Sequence, residues 1–337
     1  MLKRFKRINP NEYLYASARV RMLRNKIITT GKLHQMIDAP NLKQAFRMLN
    51  AAEIGLNETP ENYEAALLRE QAETYEIVRV LTKGLPLFDI FRFSFDGLNI
   101  KIALKSRAAG RDPLLLMTDL GTISKEEIID GLANNNIIGL PSEMSLAALE
   151  AQDILSSTND PQKADIVIDK SMLGAMYRIA HEYNNAFFQR VVRSKIDIEN
   201  IRSLVRIKRA GKDEGFLKEV LCEGGYIQND KWALIFKVSG MRNIDSFIEK
   251  TQYGPALRRA FHGLESGSRL TLFEKLCDNY MLTFIGEAYR TVFGVEPILG
   301  YLFEKENEIT SVRMVMASKI ANIPASTIIE RLREYAW

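Results

Sequence analysis

Three stretches of this chain say nearly the same thing: FSFDGLNIKIALKSRAAG at 93–110, SKIDIENIRSLVRIKRAG at 194–211 and ENEITSVRMVMASKIAN at 306–322. Asp96, Asn99, Ile100, Lys101, Leu104, Lys105, Arg107, Ala109 and Gly110 match Asp197, Asn200, Ile201, Arg202, Val205, Arg206, Lys208, Ala210 and Gly211 at a constant offset of 101. Glu308, Val312, Arg313, Met316, Lys319 and Asn322 fill the equivalent slots 111 residues further on. A second echo follows the first. Gly121-Thr122-Ile123 with Ile128, Ile129 and Leu132 matches Gly225-Tyr226-Ile227 with Trp232, Ala233 and Phe236. Ile323-Pro324 with Ile328, Ile329 and Leu332 repeats it near the C-terminus, and the inserts at 112–120 and 213–224 have no counterpart there.

A period this long exceeds that of tetratricopeptide or HEAT repeats, so it predicts three similar subdomains rather than a solenoid. The acid at the head of each copy suits a helix N-terminus, and the bases near its end suit the C-terminal dipole. The closing Gly or Asn suits a left-handed cap. A looser echo at 18–26 suggests that the N-terminal helices complete the abbreviated third unit. The expected organisation is N-terminal helices at 1–60 and repeat domains at 61–165, 166–265 and 266–337, arranged with pseudo-threefold symmetry.

Helices are expected throughout. Apolar residues recur at three-and-four spacing, for example at 13–29, 65–83, 171–192, 198–210, 270–293 and 309–320. Ser124-Lys125-Glu126-Glu127 reads as a capping box. With 10 prolines and 20 glycines in 337 residues, the chain lacks the turn chemistry of a sandwich or barrel. The fold class is all-α.

Several chemistries lack their residues. Gly211-Lys212 and Gly31-Lys32 have no glycine five positions earlier and no Ser or Thr after the Lys, so neither is a phosphate loop. His181-Glu182 begins a zinc-helix motif, but Asn185 stands where the second His belongs. No nucleophile elbow or dinucleotide fingerprint is present. No catalytic residue, cofactor or metal is expected. Cys222 and Cys277 suit small buried hydrophobes in a reducing compartment. The apolar stretch at 280–286 falls far short of the ~20 residues a membrane helix requires, so a soluble cytosolic chain is expected.

Charge is uneven. Residues 1–50 hold eleven bases and two acids, a net of +9, and the next forty reverse the sign. This face could meet an anionic partner or pair with the acidic stretch after it. No aromatic-interleaved RNA motif or basic zipper accompanies it, so no nucleic acid is expected. Tyr226 with Trp232, Tyr301 with Phe303, and the terminal Tyr335-Ala336-Trp337 are either core residues or partner anchors.

Tyr13-Leu14-Tyr15-Ala16-Ser17-Ala18-Arg19-Val20-Arg21 resembles the opening of the C subunit of the A/V-type (vacuolar-type) ATPases and ATP synthases, whose eukaryotic counterpart is the d subunit. The closing GYLFEKENEITSVRMVMASKIANIPASTIIERLREYAW, the Asp-x-x-Asn helices and the Gly-x-Ile turn resemble that family as well, and the likeness covers essentially the whole chain. It implies a funnel-shaped, all-helical protein of three similar domains without catalysis of its own. Such a protein caps the membrane proteolipid rotor ring and receives the foot of the D and F shaft. It passes torque for proton or sodium transport within a large hetero-oligomer, peripheral to the inner face of the cell membrane. The family has no short binding signature to carry over. Lys101, Arg107, Arg202, Lys208, Arg313 and Lys319 fill repeated slots and are the candidate partner-binding residues. Facing an axis they would form a basic rim for an acidic shaft; facing outward they are dipole-matched solvent charges. The alternative is a free-standing helical scaffold or regulator that binds an anionic partner, lipid or RNA, through the basic N-terminus.

Overall fold

A computed structural model gives the structure of this chain and describes residues 6–237, 241–265 and 270–333. Among the described residues the regular elements are all helical. The N-terminal helices are α1 (Leu14–Arg24), α2 (Thr30–Asp38), α3 (Leu42–Asn50) and α4 (Tyr63–Leu81). Then come α5 (Phe93–Ala108), α6 (Lys125–Ala133), α7 (Ser142–Thr158), α8 (Pro161–Glu182), α9 (Ala186–Arg209), α10 (Glu214–Val220) and α11 (Asn229–Lys237). The last are α12 (Met241–Ile248), α13 (Gly254–Glu265), α14 (Leu270–Gly286), α15 (Glu296–Ile320) and α16 (Ala325–Arg331).

Two compact units divide the chain. The first holds residues 6–8 and Leu85–Lys237; the second holds Asn9–Gly84 and 241–333. In the first, α7 and α8 form a tight hairpin, and α5 and α9 both pack on α8. Phe188 of α9 is fully buried and meets Phe88 edge-on at 5.2 Å between ring centres.

In the second unit α15 is the central element, with α1, α2, α3, α4 and α14 against it. Leu33, Met36 and Ile37 of α2 join Ala45, Phe46 and Leu49 of α3 in one apolar cluster. That cluster also takes Ile309, Val312, Val315 and Met316 of α15 and Ile328 of α16. Each fully buried large aliphatic or aromatic side chain contributes about 1.5–3 kcal/mol of burial. The N-terminal helices therefore pack on the third repeated helix.

The structure differs from the sequence reading in four places, and the first two have local causes. The periodic run at 13–29 ends earlier, and α2 follows as a separate helix because Thr29 accepts the amide of Lys32 and starts it. The run at 171–192 is broken between α8 and α9. Asn184 sits at φ 46, where the helix cannot continue, and the Asn185 side chain accepts the Phe188 amide to begin the next helix. The run at 270–293 stops as an α-helix at Gly286. Finally, Asp197 and Glu308 do not stand at helix starts. They lie in the middle of helices of 24 and 25 residues, so a dipole does not account for them.

The helix ends agree with the sequence. Gly110 (φ 63), Gly211 (φ 65) and Asn322 (φ 53) all adopt the left-handed conformation. The next amide folds back in each case, Arg111 to the Ser106 carbonyl (2.9 Å), Lys212 to Ile207 (3.2 Å) and Ile323 to Ser318 (2.9 Å). The capping box at Ser124 and Glu127 also forms.

Candidate functional site

The repeated acids make three buried joints. Asp96 of α5 is fully buried and accepts the Thr122 amide (2.8 Å), the Thr122 hydroxyl (2.7 Å) and the Ile123 amide (3.5 Å). Gly121 must lack a side chain, since a Cβ there would overlap the Asp96 carboxylate. One turn earlier Arg92 donates to the carbonyls of Leu120 (2.9 Å) and Gly121. Burial pushes the Asp96 carboxyl up, against the Thr122 and Ile123 hydrogen bonds and the Arg92 charge.

The second joint repeats the carboxylate–amide contact, the glycine and the arginine. Asp197 of α9 is fully buried and accepts the amides of Tyr226 (2.7 Å) and Ile227 (3.3 Å). Gly225 again leaves room for the carboxylate. Arg193 donates to the Gly225 carbonyl (3.0 Å) and lies 4.0 Å over the Tyr226 ring. The repeated asparagines act as two-way clamps. Asn99 donates to the Thr118 carbonyl (2.7 Å) and accepts its amide (2.9 Å); Asn200 does the same with Cys222 (2.8 and 2.9 Å).

The third joint is built differently. Glu308 of α15 is almost fully buried and accepts the Ile28 amide (2.6 Å), so the turn that closes over it comes from the segment between α1 and α2. Lys305 bridges Glu308 and Glu70 at 2.5 Å each. The slot held by Arg92 and Arg193 contains Glu304, and the base is returned by Arg24 of α1, which donates to both Glu304 oxygens (2.9 and 3.0 Å). The Tyr289 hydroxyl donates to Glu304 (2.5 Å), and Arg24 lies 4.2 Å over the Tyr289 ring. Burial raises both Glu304 and Glu308, against Tyr289 and Arg24 at the first and Lys305 at the second. Burial works to lower Lys305, but Glu308 and Glu70 outweigh it and hold the ammonium above its ordinary value.

The six candidate bases are placed around these joints and mostly hold the fold. Lys101 pairs with Asp169 (2.5 Å), Arg202 with Glu199 (2.7 Å) and Arg313 with Glu64 (2.8 Å). Lys319 donates to the carbonyls of Ala39 (2.6 Å) and Ile37, where α2 ends. Lys208 lies 4.9 Å over Phe236 near the end of α11, and burial pushes its ammonium down. Arg107 is exposed and reaches only Gln152, at 3.5 Å. Lys101, Arg107, Arg202 and Lys208 lie in the first unit; Arg313 and Lys319 lie in the second.

The basic N-terminal segment is engaged in part, and Arg7, Arg19, Lys32, Lys43 and Arg47 are exposed. Besides Arg24, Arg21 donates to the carbonyls of Thr291 (2.7 Å) and Val292 (2.5 Å), and Lys26 pairs with Glu53 (2.8 Å). Trp232 is fully buried and Tyr301 nearly so; Tyr335 and Trp337 lie outside the described residues. Among the described residues no His, Cys, Asp and Glu side chains cluster as a metal set. Cys222 and Cys277 are buried and form no disulfide, and burial pushes the Cys222 thiol up to about 12, which leaves it protonated and unreactive. No helix of the described residues is long and apolar enough to cross a membrane.

The sequence matches known proteins along most of its length. The model of the ATP synthase (C/AC39) subunit family matches residues 16–331. The chain is 23% identical to the A-type ATP synthase C subunit of Methanocaldococcus jannaschii, across 94% of this chain and 85% of that one. It is 26% identical to the same subunit of Thermococcus gammatolerans, across 92% and 86%. It is 23% identical to the V-type sodium ATPase C subunit of Enterococcus hirae, across 81% and 82%. With a match from α1 to α16, the chain belongs to the ATP synthase (C/AC39) subunit family.

Proposed function

We propose that this chain is the central-stalk piece that links the D and F shaft to the membrane proteolipid ring and carries torque between them. The coarser statement stands on its own: the chain is an accessory subunit of a rotary ATPase and part of a large hetero-oligomer. The observation that supports the finer reading is the locking of its long helices. A part that passes torque must not yield, and each repeated helix is tied by a buried carboxylate on backbone amides. We also propose that residues 1–60 complete the third repeat unit at 266–337. The Glu308 contact with Ile28 and the packing of α1, α2 and α3 on α15 support this.

Co-purification tests the role: the tagged chain should carry the ring from one side and the shaft from the other. Recovery of neither would remove it. For the shaft contact we propose the repeated bases, with exposed Arg107 the readiest. Reversing the charge of Arg202, Lys208 and Arg313 together should weaken shaft binding, and unchanged binding would exclude the rim.

A further inference from the structure

The insert between α5 and α6 carries an exposed apolar tip that the fold does not require. Leu114, Leu115 and Leu116 are 38%, 91% and 66% exposed, on a turn closed by the Leu116 amide on the Pro113 carbonyl (2.9 Å). Met117 and Leu120 behind them are buried and anchor the loop. The second repeat supplies an internal control. The asparagine clamps make Thr118 and Cys222 equivalent, so Leu114 and Leu115 correspond to Lys218 and Glu219. Both of those are exposed and charged, as solvent-facing positions should be. The same frame thus accepts charges at two of the three leucine positions, the third, Leu116, corresponding to half-buried Val220.

We propose that Leu114–Leu116 is a lipid-inserting tip that seats in the interfacial layer of an anionic bilayer. Three observations favour lipid over a protein groove. Successive turn residues point in different directions, which an acyl phase accommodates and a one-sided groove does not. The tip is purely aliphatic, whereas protein hot spots favour Trp, Tyr and Arg and are poor in Leu. Two bases stand at its base: Arg107, with its single long contact to Gln152, and exposed Arg111, whose guanidinium has no partner among the described residues. The nearby acids are occupied. Asp112 accepts the Leu114 amide (3.0 Å), and Asp119 pairs with Lys125 (3.0 Å). Arg107 and Arg111 outnumber the Asp112 carboxylate, so the tip offers net positive charge to headgroup phosphates.

The proposal goes beyond the coupling role and is tested without shaft or ring; Arg107, also one of the bases proposed for the shaft, is read here only through vesicle binding. Flotation of the full-length chain with vesicles of equal parts phosphatidylcholine and phosphatidylglycerol tests it. The wild type should float, and Leu115→Ser with Leu116→Ser should bind at least about tenfold more weakly, since two aliphatic side chains lose their apolar seat. Arg107→Gln with Arg111→Gln should bind mixed vesicles no better than pure phosphatidylcholine. All variants should melt with the wild type, because the changed side chains are exposed. A wild type that does not float, or a double serine variant that floats equally well, overturns the proposal. So does loss of a protein partner from the detergent-solubilised assembly in the serine variant when the wild type ignores vesicles; the occupant is then protein.

Discussion

At Asp96 the turn that closes over the carboxylate comes 26 residues later in the chain; at Glu308 it comes from 280 residues earlier. Closing the longer loop costs about 2 kcal/mol more in chain entropy. The third joint also carries more charge: Arg24 on Glu304, Lys305 between Glu70 and Glu308, and Lys319 on the end of α2. A contact that must hold distant segments together adds ion pairs to its amide bond; a contact closed within one repeat manages with amides on the carboxylate. One repeated slot can be kept while its partner is replaced.

The largest effect should separate the two kinds of joint. Glu308→Ala leaves Lys305 with Glu70 alone and the buried Ile28 amide without its acceptor, and should cost about 3–5 kcal/mol in denaturant unfolding. Limited proteolysis should then cut first between residues 9 and 50. Asp197→Ala should destabilise the first unit and leave that segment protected. Early cutting in both variants would erase the distinction.

Next comes the exchanged charge. Arg24→Ala leaves Glu304 buried without its base and should cost about 2–4 kcal/mol. Arg24→Glu combined with Glu304→Arg should recover much of that loss. Arg193→Ala, at the equivalent slot of the second joint, removes only a carbonyl contact and a ring contact and should cost about 1–2 kcal/mol.

A pH series sharpens the same contrast. Burial holds Glu304 and Glu308 above their ordinary value of 4.5, so the folded state binds these protons more readily than the unfolded state. Their contribution to stability therefore rises as pH falls through the folded values and levels off below 4.5. Subtracting the unfolding profile of Glu304→Gln from that of the wild type should leave this slope. A difference that rises with pH would reverse the sign and contradict the burial argument.

The smallest effects lie at the helix ends. Gly211→Ala, at positive φ, should cost about 1 kcal/mol, whereas Asn322→Gly should change stability by a few tenths.

Much of this is legible in the sequence. The left-handed caps at Gly110, Gly211 and Asn322 and the all-helical class follow from local chemistry, and the structure carries both. The joints are only half legible. The repeated acid and the Gly-x-Ile turn both stand out by recurrence, but nothing in a sequence marks which distant amide meets which carboxylate. Asp197 therefore suggests a dipole match when it is a buried tie. The Glu304–Arg24 exchange leaves no signal at all, because its two charges lie on separate segments. The bases are visible by recurrence, yet their partners, such as Asp169 and Glu64, come from other helices.

The coupling claim is tested most directly in the assembled enzyme, with and without this chain. Membranes carrying the complete complex should couple ATP hydrolysis to ion uptake. Complexes lacking this chain should keep hydrolysis in the catalytic head and lose ion movement, and adding the purified chain back should restore it. Ion transport that persists at full rate without the chain would contradict the account.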